Sequence, residues 1–264
     1  MKKLLFIFFL IISFQAFAAN RNSILYQYGL LDDALHGQYT PITTVGEMSK
    51  HNDFALGAGV GLGELIAVDG KFYITDAYGR LNLLKQQDSI SFASATKFRP
   101  DYDLGFDIKY ISSLKQLEDE IEEELPNKNL IYAIKVTGYF DKLHGRSEDI
   151  DSIPYTPIVS WMETHQHEFD CNEQRSTLVM FRMPDSLFNL GVKYHAHFVN
   201  DSRTMGGHVF DIASAQDLDV EIMPLNDAQV SLRKNIAPVK AVASGLQADK
   251  FYNVIERSTN TAAK

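Results

Sequence analysis

Apolar, β-prone runs broken by turn residues dominate the second half of the chain. They predict strands over Thr177–Met183, Gly191–Val199, His208–Ile212, Leu218–Met223 and Gln229–Arg233, each bounded by polar or glycine-containing stretches. The first half is more mixed. Ser23–Leu35 reads as a short extended entry followed by a helix that stops at Gly37. Glu64–Val68 and Lys71–Thr75 flank Asp69-Gly70, a strong hairpin signal. Leu114, Leu117, Ile121 and Leu125 recur at helical spacing, so Ser113–Leu125 is a helix, capped by Ser112 or Ser113 and ended by Pro126. Leu130–Val136 reads as a buried strand that leads through Gly138-Tyr139-Phe140 to Arg146. Pro154-Tyr155-Thr156-Pro157 enforces an extended segment. Ile158, Trp161, Met162 and His165 then follow helical spacing over Ile158–Phe169, and a last helix spans roughly Gln247–Ile255. No internal repeat or low-complexity tract is visible.

Asn52–Gly63 is rich in glycine and could be mistaken for a nucleotide loop. The G-x-G-x-x-G spacing is absent and no helix follows, so dinucleotide and P-loop readings fail. Glu64 follows this loop at the start of a strand. Taken alone, it reads as a solvated strand-end carboxylate.

Met1–Ala18 changes the picture of the N-terminus. Lys2-Lys3, the apolar run Leu4–Phe14 and Ala16-Phe17-Ala18 have the three parts of a secretory signal, with cleavage expected between Ala18 and Ala19. The run is too short to span a bilayer comfortably. No second long apolar run follows, so a soluble, periplasmic or secreted protein is expected, with no membrane association after cleavage. Removing two lysines and no acids takes the formal charge from −9 to −11 (−9 minus 2). An acidic chain argues against nucleic acid or an anionic membrane as partner. An anionic substrate would then need a local cation. Cys171 is the only cysteine, so an internal disulfide is impossible and an ordinary core must carry stability. The 246 residues left after cleavage (264 minus 18) can bury one large core or two small ones. The expected division is a signal peptide 1–18, an N-terminal domain 19–153 and a C-terminal domain 154–264, with the boundary near Asp149–Pro157.

The strongest chemical signal lies in Tyr194–Asp211. His195 and His197 are two apart on a predicted strand and so share a face. Asn200-Asp201-Ser202 and Gly206-Gly207 supply turn chemistry, and His208 opens the next apolar run. If the runs pair as a hairpin, three imidazoles converge. Three histidines with an open position is a catalytic zinc pattern, whereas structural zinc takes four ligands. An H-x-H by itself is a weak signal in a chain with eight histidines. His165-Gln166-His167 repeats the spacing, but on a helix i and i+2 do not face each other, so this pair is expected not to chelate.

Several ordered segments together resemble the α-acetolactate decarboxylase family over nearly all of the mature length. They are Tyr26-Gln27, Ala34-Leu35-His36-Gly37-Gln38-Tyr39, Asp53-Phe54 with Leu56-Gly57, Gly63-Glu64-Leu65-Ile66 with Asp69-Gly70, and Tyr132-Ala133-Ile134-Lys135 with Gly138, Phe140 and Arg146. Pro154-Tyr155-x-Pro157, Gln166 and Phe169 continue the match. Tyr194-His195-Ala196-His197-Phe198 through Asp201-x-Arg203-x-x-Gly206-Gly207-His208 is its most specific block. The resemblance implies an α/β (α+β) fold of two domains with mixed β-sheets and flanking helices, usually dimeric. It implies Zn2+ held by His195, His197 and His208, with Glu64, Arg146 and a C-terminal glutamate, best matched by Glu256, in the catalytic set. The chain departs from the family pattern at Gly57-Ala58-Gly59, where Gly-Thr-Phe is usual and a pocket hydroxyl is lost. Tyr28 replaces a serine after Tyr-Gln, and Gln174-Arg175-Ser176 replaces a small polar stretch.

The implied reaction is decarboxylation of 2-acetolactate to acetoin and CO2. Charge builds on the ketone oxygen as CO2 leaves, and zinc would stabilise it as a Lewis acid. Arg146 has the fork geometry for an anionic oxygen. Glu64 and Glu256 compete for delivery of the proton; Glu256, on an element able to cover the substrate, is the expected donor, with Glu64 supporting the substrate hydroxyl. Two other readings use the same residues: a zinc hydrolase with a metal-activated water, and a non-catalytic zinc or ligand-binding homologue with an altered pocket.

Overall fold

The computed structural model describes residues 23–240. The expected leader, the last predicted helix and Glu256 lie outside the described residues.

The chain begins with β1 (Ile24–Tyr28), α1 (Leu31–Leu35), β2 (Thr43–Thr44) and α2 (Val45–Met48). A run of strands follows: β3 (Phe54–Gly59), β4 (Glu64–Val68), β5 (Lys71–Thr75), β6 (Leu81–Leu83), β7 (Ser89–Thr96) and β8 (Phe106–Ile111). Next come α3 (Leu114–Glu124), β9 (Ile131–Glu148), α4 (Ile158–His165) and β10 (Gln166–Asp170). The order closes with β11 (Gln174–Arg182), a single 3-10 turn, β12 (Tyr194–Asn200), β13 (Gly206–Leu225) and β14 (Asp227–Ser231).

These strands form two sheets. The first runs β14-β1-β7-β3-β4-β5-β6, with β2 on β7. It is mixed, because β1 and β14 are parallel and the other pairs antiparallel. The second runs β10-β9-β11-β12-β13-β8, and β9 also pairs with β13. That extra pairing closes β9, β11, β12 and β13 into a ring. The mixed two-sheet α+β architecture agrees with the expected fold class, and the histidines do sit on an antiparallel pair of the second half. The change of sheet does not coincide with Asp149–Pro157. It falls between β7 and β8, and β14 returns to the first sheet.

Alternation along β11 shows how the layers are built. Leu178 and Met180 point into a core shared with Leu117 and Ile121 of α3, while Val179 and Phe181 point into the core between the sheets. Strands covered on both faces read as continuous apolar runs. In the intersheet core, Phe54 stacks on Phe98 with ring centroids 4.6 Å apart and meets Phe181 at 5.8 Å. Along β12, Ala196 and Phe198 face the α3 side and Val199 faces the first sheet. His195 and His197 share parity with Val199, so β12 aims both imidazoles toward the first sheet.

Several elements differ from the sequence expectation, among them β9, which runs to Glu148 where the predicted strand ends at Val136. The predicted strands His208–Ile212 and Leu218–Met223 are one bent strand, β13, whose register shifts repeatedly between Val209 and Asp219. Bulges of that kind place polar residues inside a continuous strand and break its alternation. The predicted helix Ile158–Phe169 ends at His165, and His167 lies on β10, paired opposite Ser147. Tertiary pairing with β9 overrides the helical spacing there.

α3 is fixed from both ends. The Ser113 side chain accepts from the Gln116 N–H at its start. Near its end, Glu122 receives Arg182 at 2.8 Å and the Tyr194 hydroxyl at 2.7 Å. Burial alone would raise the Glu122 pKa, but Arg182 and Tyr194 outweigh it and hold the carboxyl below its ordinary value. A depressed folded-state pKa contributes stability that is present above the unfolded value and is lost as pH falls through the folded one. Glu122→Gln should therefore lower Tm by a few degrees at pH 7, about 1 kcal/mol. The deficit should shrink below about pH 4, the ordinary range of glutamate. Thermal melts of both proteins across pH would check this, and a deficit that does not vary with pH would refute it.

Candidate metal centre and catalytic cavity

Strand register assembles the site. His197 of β12 is opposite His208 of β13, and His208 is opposite Arg146 of β9. Opposed residues share a face, so the three side chains form a row across the sheet, and His195 joins it two positions along β12. The ring nitrogens of His195, His197 and His208 that could take a metal lie within 4.8 Å of one another, and this is the one such group among the described residues.

Gly206 and Gly207 do not form the turn that their composition suggests. They are the first residues of β13, paired with Val199 and Phe198. The turn itself runs through Asp201–Thr204, where the Asn200 side chain accepts from the Thr204 and Met205 N–H groups at 2.9 and 3.0 Å. Gly207 is needed for close packing: a Cβ there would sit 2.6 Å from the Arg146 carbonyl oxygen and 2.8 Å from the Phe169 ring. Any larger residue would push β13 away from β9 and separate His208 from Arg146.

The first sheet completes the site. The Leu65 carbonyl of β4 accepts from His197 Nδ1 at 2.8 Å. A carbonyl only accepts, so this bond places a proton on Nδ1 and directs Nε2 into the cluster. That Nε2 lies 3.1 Å from His195 Nε2 and 3.0 Å from a Glu64 oxygen. Burial, then the neighbouring His197 ring, hold His195 well below its ordinary pKa, in the neutral form that binds metals. Three ring nitrogens and a carboxylate oxygen, the donor types that hold transition metals, thus converge on one place. The donor set therefore fits a metal ion. The competing pair does not: His165 stacks on Trp161 at 3.5 Å, and His167 Nε2 contacts Asp149 at 3.2 Å.

Glu64 is almost fully buried, not a solvated strand end. Its N–H donates to Thr75 Oγ1 at 3.0 Å, which bonds the Ser147 hydroxyl at 2.8 Å. Its carboxylate also receives Arg146. Burial opposes ionisation, but Arg146 and then His197 outweigh it and hold the Glu64 pKa at about 2. Arg146 Nη1 also donates to Glu148 at 3.1 Å, and the guanidinium lies 5.5 Å from the Phe210 ring centroid. Glu148 is buried, and its other oxygen accepts from the Gly63 N–H at 2.7 Å. Burial first, then the charge on Glu64, push its pKa well above the ordinary carboxylate value. Sequence pattern does not single out Glu148. The available signal was its spacing of two from Arg146, which on one long strand puts both on the same face.

A cavity opens beside this cluster, with Ala58, Glu64, Arg146, Glu148, His195 and Arg233 in its wall. Arg233 is committed elsewhere: it meets Asp33 at 3.3 Å and donates to the Ser91 carbonyl at 2.7 Å.

Two sheets packed around a largely buried three-histidine cluster, with an arginine and two acids in the wall of the adjoining cavity, define a protein with a candidate metal centre. A family model described as "Alpha-acetolactate decarboxylase" matches residues 25–237. The chain is 33% identical over 234 residues to the α-acetolactate decarboxylase of Raoultella terrigena, covering 88% of this chain and 86% of that one. It is 36% identical over 191 residues to that of Bacillus subtilis, covering 72% and 74%. The crystal structure of α-acetolactate decarboxylase from Bacillus subtilis superposes with a TM-score of 0.76 at 30% identity, covering 91% of this chain and 96% of that one. The chain belongs to the α-acetolactate decarboxylase family.

His197→Ala should remove the ring that meets both the Leu65 carbonyl and the other site groups. It should lower bound metal from about one per chain to near none, whereas His165→Ala should leave metal content unchanged. Metal analysis of the purified variants is the measurement; equal loss from the two would refute the assignment.

Proposed function

We propose that the protein is a zinc-dependent acetolactate decarboxylase that converts 2-acetolactate to acetoin and CO2. The carrying observation is the convergence of His195, His197 and His208 beside the buried Glu64–Arg146 pair, in a member of a family with that activity. His195, His197 and His208 would hold the ion, and neutral imidazoles would leave it the charge to supply Lewis-acid stabilisation of the oxygen on which charge builds.

The chain's own residues do the rest. Arg146 lies in the cavity wall and is buried, so its attraction for a carboxylate is little screened by water. It receives the substrate carboxylate and orients the bond that breaks. Glu64, ionised and fixed by Arg146 and His197, accepts a hydrogen bond from the substrate hydroxyl. As CO2 leaves, the electron pair of the broken C–C bond moves into the former ketone, giving an enediolate. Protonation at carbon then yields acetoin. Glu256, matched to the family's C-terminal glutamate, is the acid we assign to that step.

Purified protein given racemic 2-acetolactate should release acetoin and CO2 in equal amounts, and a chelator should abolish turnover until zinc is restored. Release of a new carboxylic acid from ester or amide substrates, with none from acetolactate, would favour a hydrolase and overturn the proposal.

Ala58 tests the altered wall. It sits on β3 beside the cavity, where the family usually carries threonine. Ala58→Thr should raise kcat/KM on acetolactate up to about tenfold, the worth of one neutral hydrogen bond of about 0.5–1.5 kcal/mol. A fall in kcat/KM, measured by steady-state kinetics, would indicate a pocket reshaped around the smaller residue.

A further inference from the structure

Arg146 carries two acids where one would balance its charge. Glu64 already does so, and burying a second carboxyl costs desolvation. What Glu148 adds is geometric. One of its oxygens accepts from Arg146 Nη1 at 3.1 Å and the other from the Gly63 N–H at 2.7 Å. Gly63 has φ +87°, a left-handed conformation that favours glycine, and it immediately precedes Glu64. Glu148 thus links the strand that carries Arg146, in the second sheet, to the turn that delivers Glu64, in the first. It also lies in the cavity wall with both.

We propose that Glu148 is a positioning residue: it holds the Arg146 guanidinium against the Gly63–Glu64 turn in the orientation that receives the substrate carboxylate. This rests on the decarboxylase reading only for the identity of that substrate.

The test uses the zinc-loaded full chain, wild type against Glu148→Gln and Glu148→Leu, with Tm and metal content measured for each. Glutamine keeps the volume, but its single amide oxygen serves only one of the two donors. Two unreactive probes that differ in the carboxylate alone, 2,3-dihydroxy-2-methylbutanoate and butane-2,3-diol, are titrated by calorimetry, and kcat and KM are measured on acetolactate. Glu148→Gln should weaken the carboxylate probe about tenfold, as for one hydrogen bond to a charged group, and Glu148→Leu should weaken it further. KM should rise in parallel, while diol affinity changes by less than about twofold. Equal loss for both probes would mean a purely structural tie and would overturn the proposal, as would unchanged or tighter binding of the carboxylate probe. A wild type that binds the two probes alike would remove the role of Arg146 and that of Glu148 with it. A wild type that prefers the carboxylate probe yet leaves acetolactate intact would refute the decarboxylase reading, and the probe comparison would still decide Glu148.

Discussion

The site depends on a strand register. His197, His208 and Arg146 lie in one row only because β12, β13 and β9 pair where they do. A slip of one residue in any of these strands turns its side chains to the opposite face. Two features oppose such a slip. Closure of the four-strand ring means that β13 answers to β12 on one side and to β9 on the other. Gly207 permits an approach to the Arg146 backbone that no side chain would allow. The row of His197, His208 and Arg146 is therefore specified by backbone pairing alone.

The second constraint is electrostatic. Glu64, Glu148 and Arg146 are all buried, together with the His197 and His208 rings. Charges withdrawn from water must be paired or neutralised. Arg146 and His197 keep Glu64 ionised, while burial and that same Glu64 charge push Glu148 toward its neutral form. Two carboxyl groups of one chemical type thus have their pKa values pushed in opposite directions, a divergence that environment alone can create.

Much of this was legible in the sequence, unevenly and for physical reasons. The hairpin at Asp69-Gly70 and the helix Leu114–Glu124 carry local signals, turn chemistry and a capped apolar stripe, and both formed as read. The histidine hairpin was readable because two strands with alternating faces leave few ways to point three rings. What escaped depends on tertiary pairing. β13 looked like two strands because its bulges interrupt alternation. Helical spacing carried past His165, where pairing with β9 takes over. Glu148 was hidden because the predicted strand ended at Val136, whereas β9 runs on to Glu148 and so puts Glu148 and Arg146 on one face. The sheet change between β7 and β8 was equally invisible, since a strand's sequence records how buried its faces are and not which sheet it joins.

The division of labour between the sheets explains why the site lies where it does. The second sheet supplies three rings and the guanidinium from elements locked in a ring of strands. The first supplies Glu64, the Leu65 carbonyl that fixes the His197 tautomer, and Ala58 in the cavity wall. Residues that set the metal and the charge are thus held by closed pairing. Residues that shape the ligand's surroundings come from a strand and a glycine turn of the opposing layer. Changes such as Ala58 can accumulate in that layer without disturbing the histidine row, because the intersheet core of Phe54, Phe98 and Phe181 fixes the gap between the layers independently of the cavity wall. The cavity wall and the histidine row thus belong to opposing layers, and substitutions on β3 or in the turn before Glu64 act on the wall without touching the β12–β13 pairing.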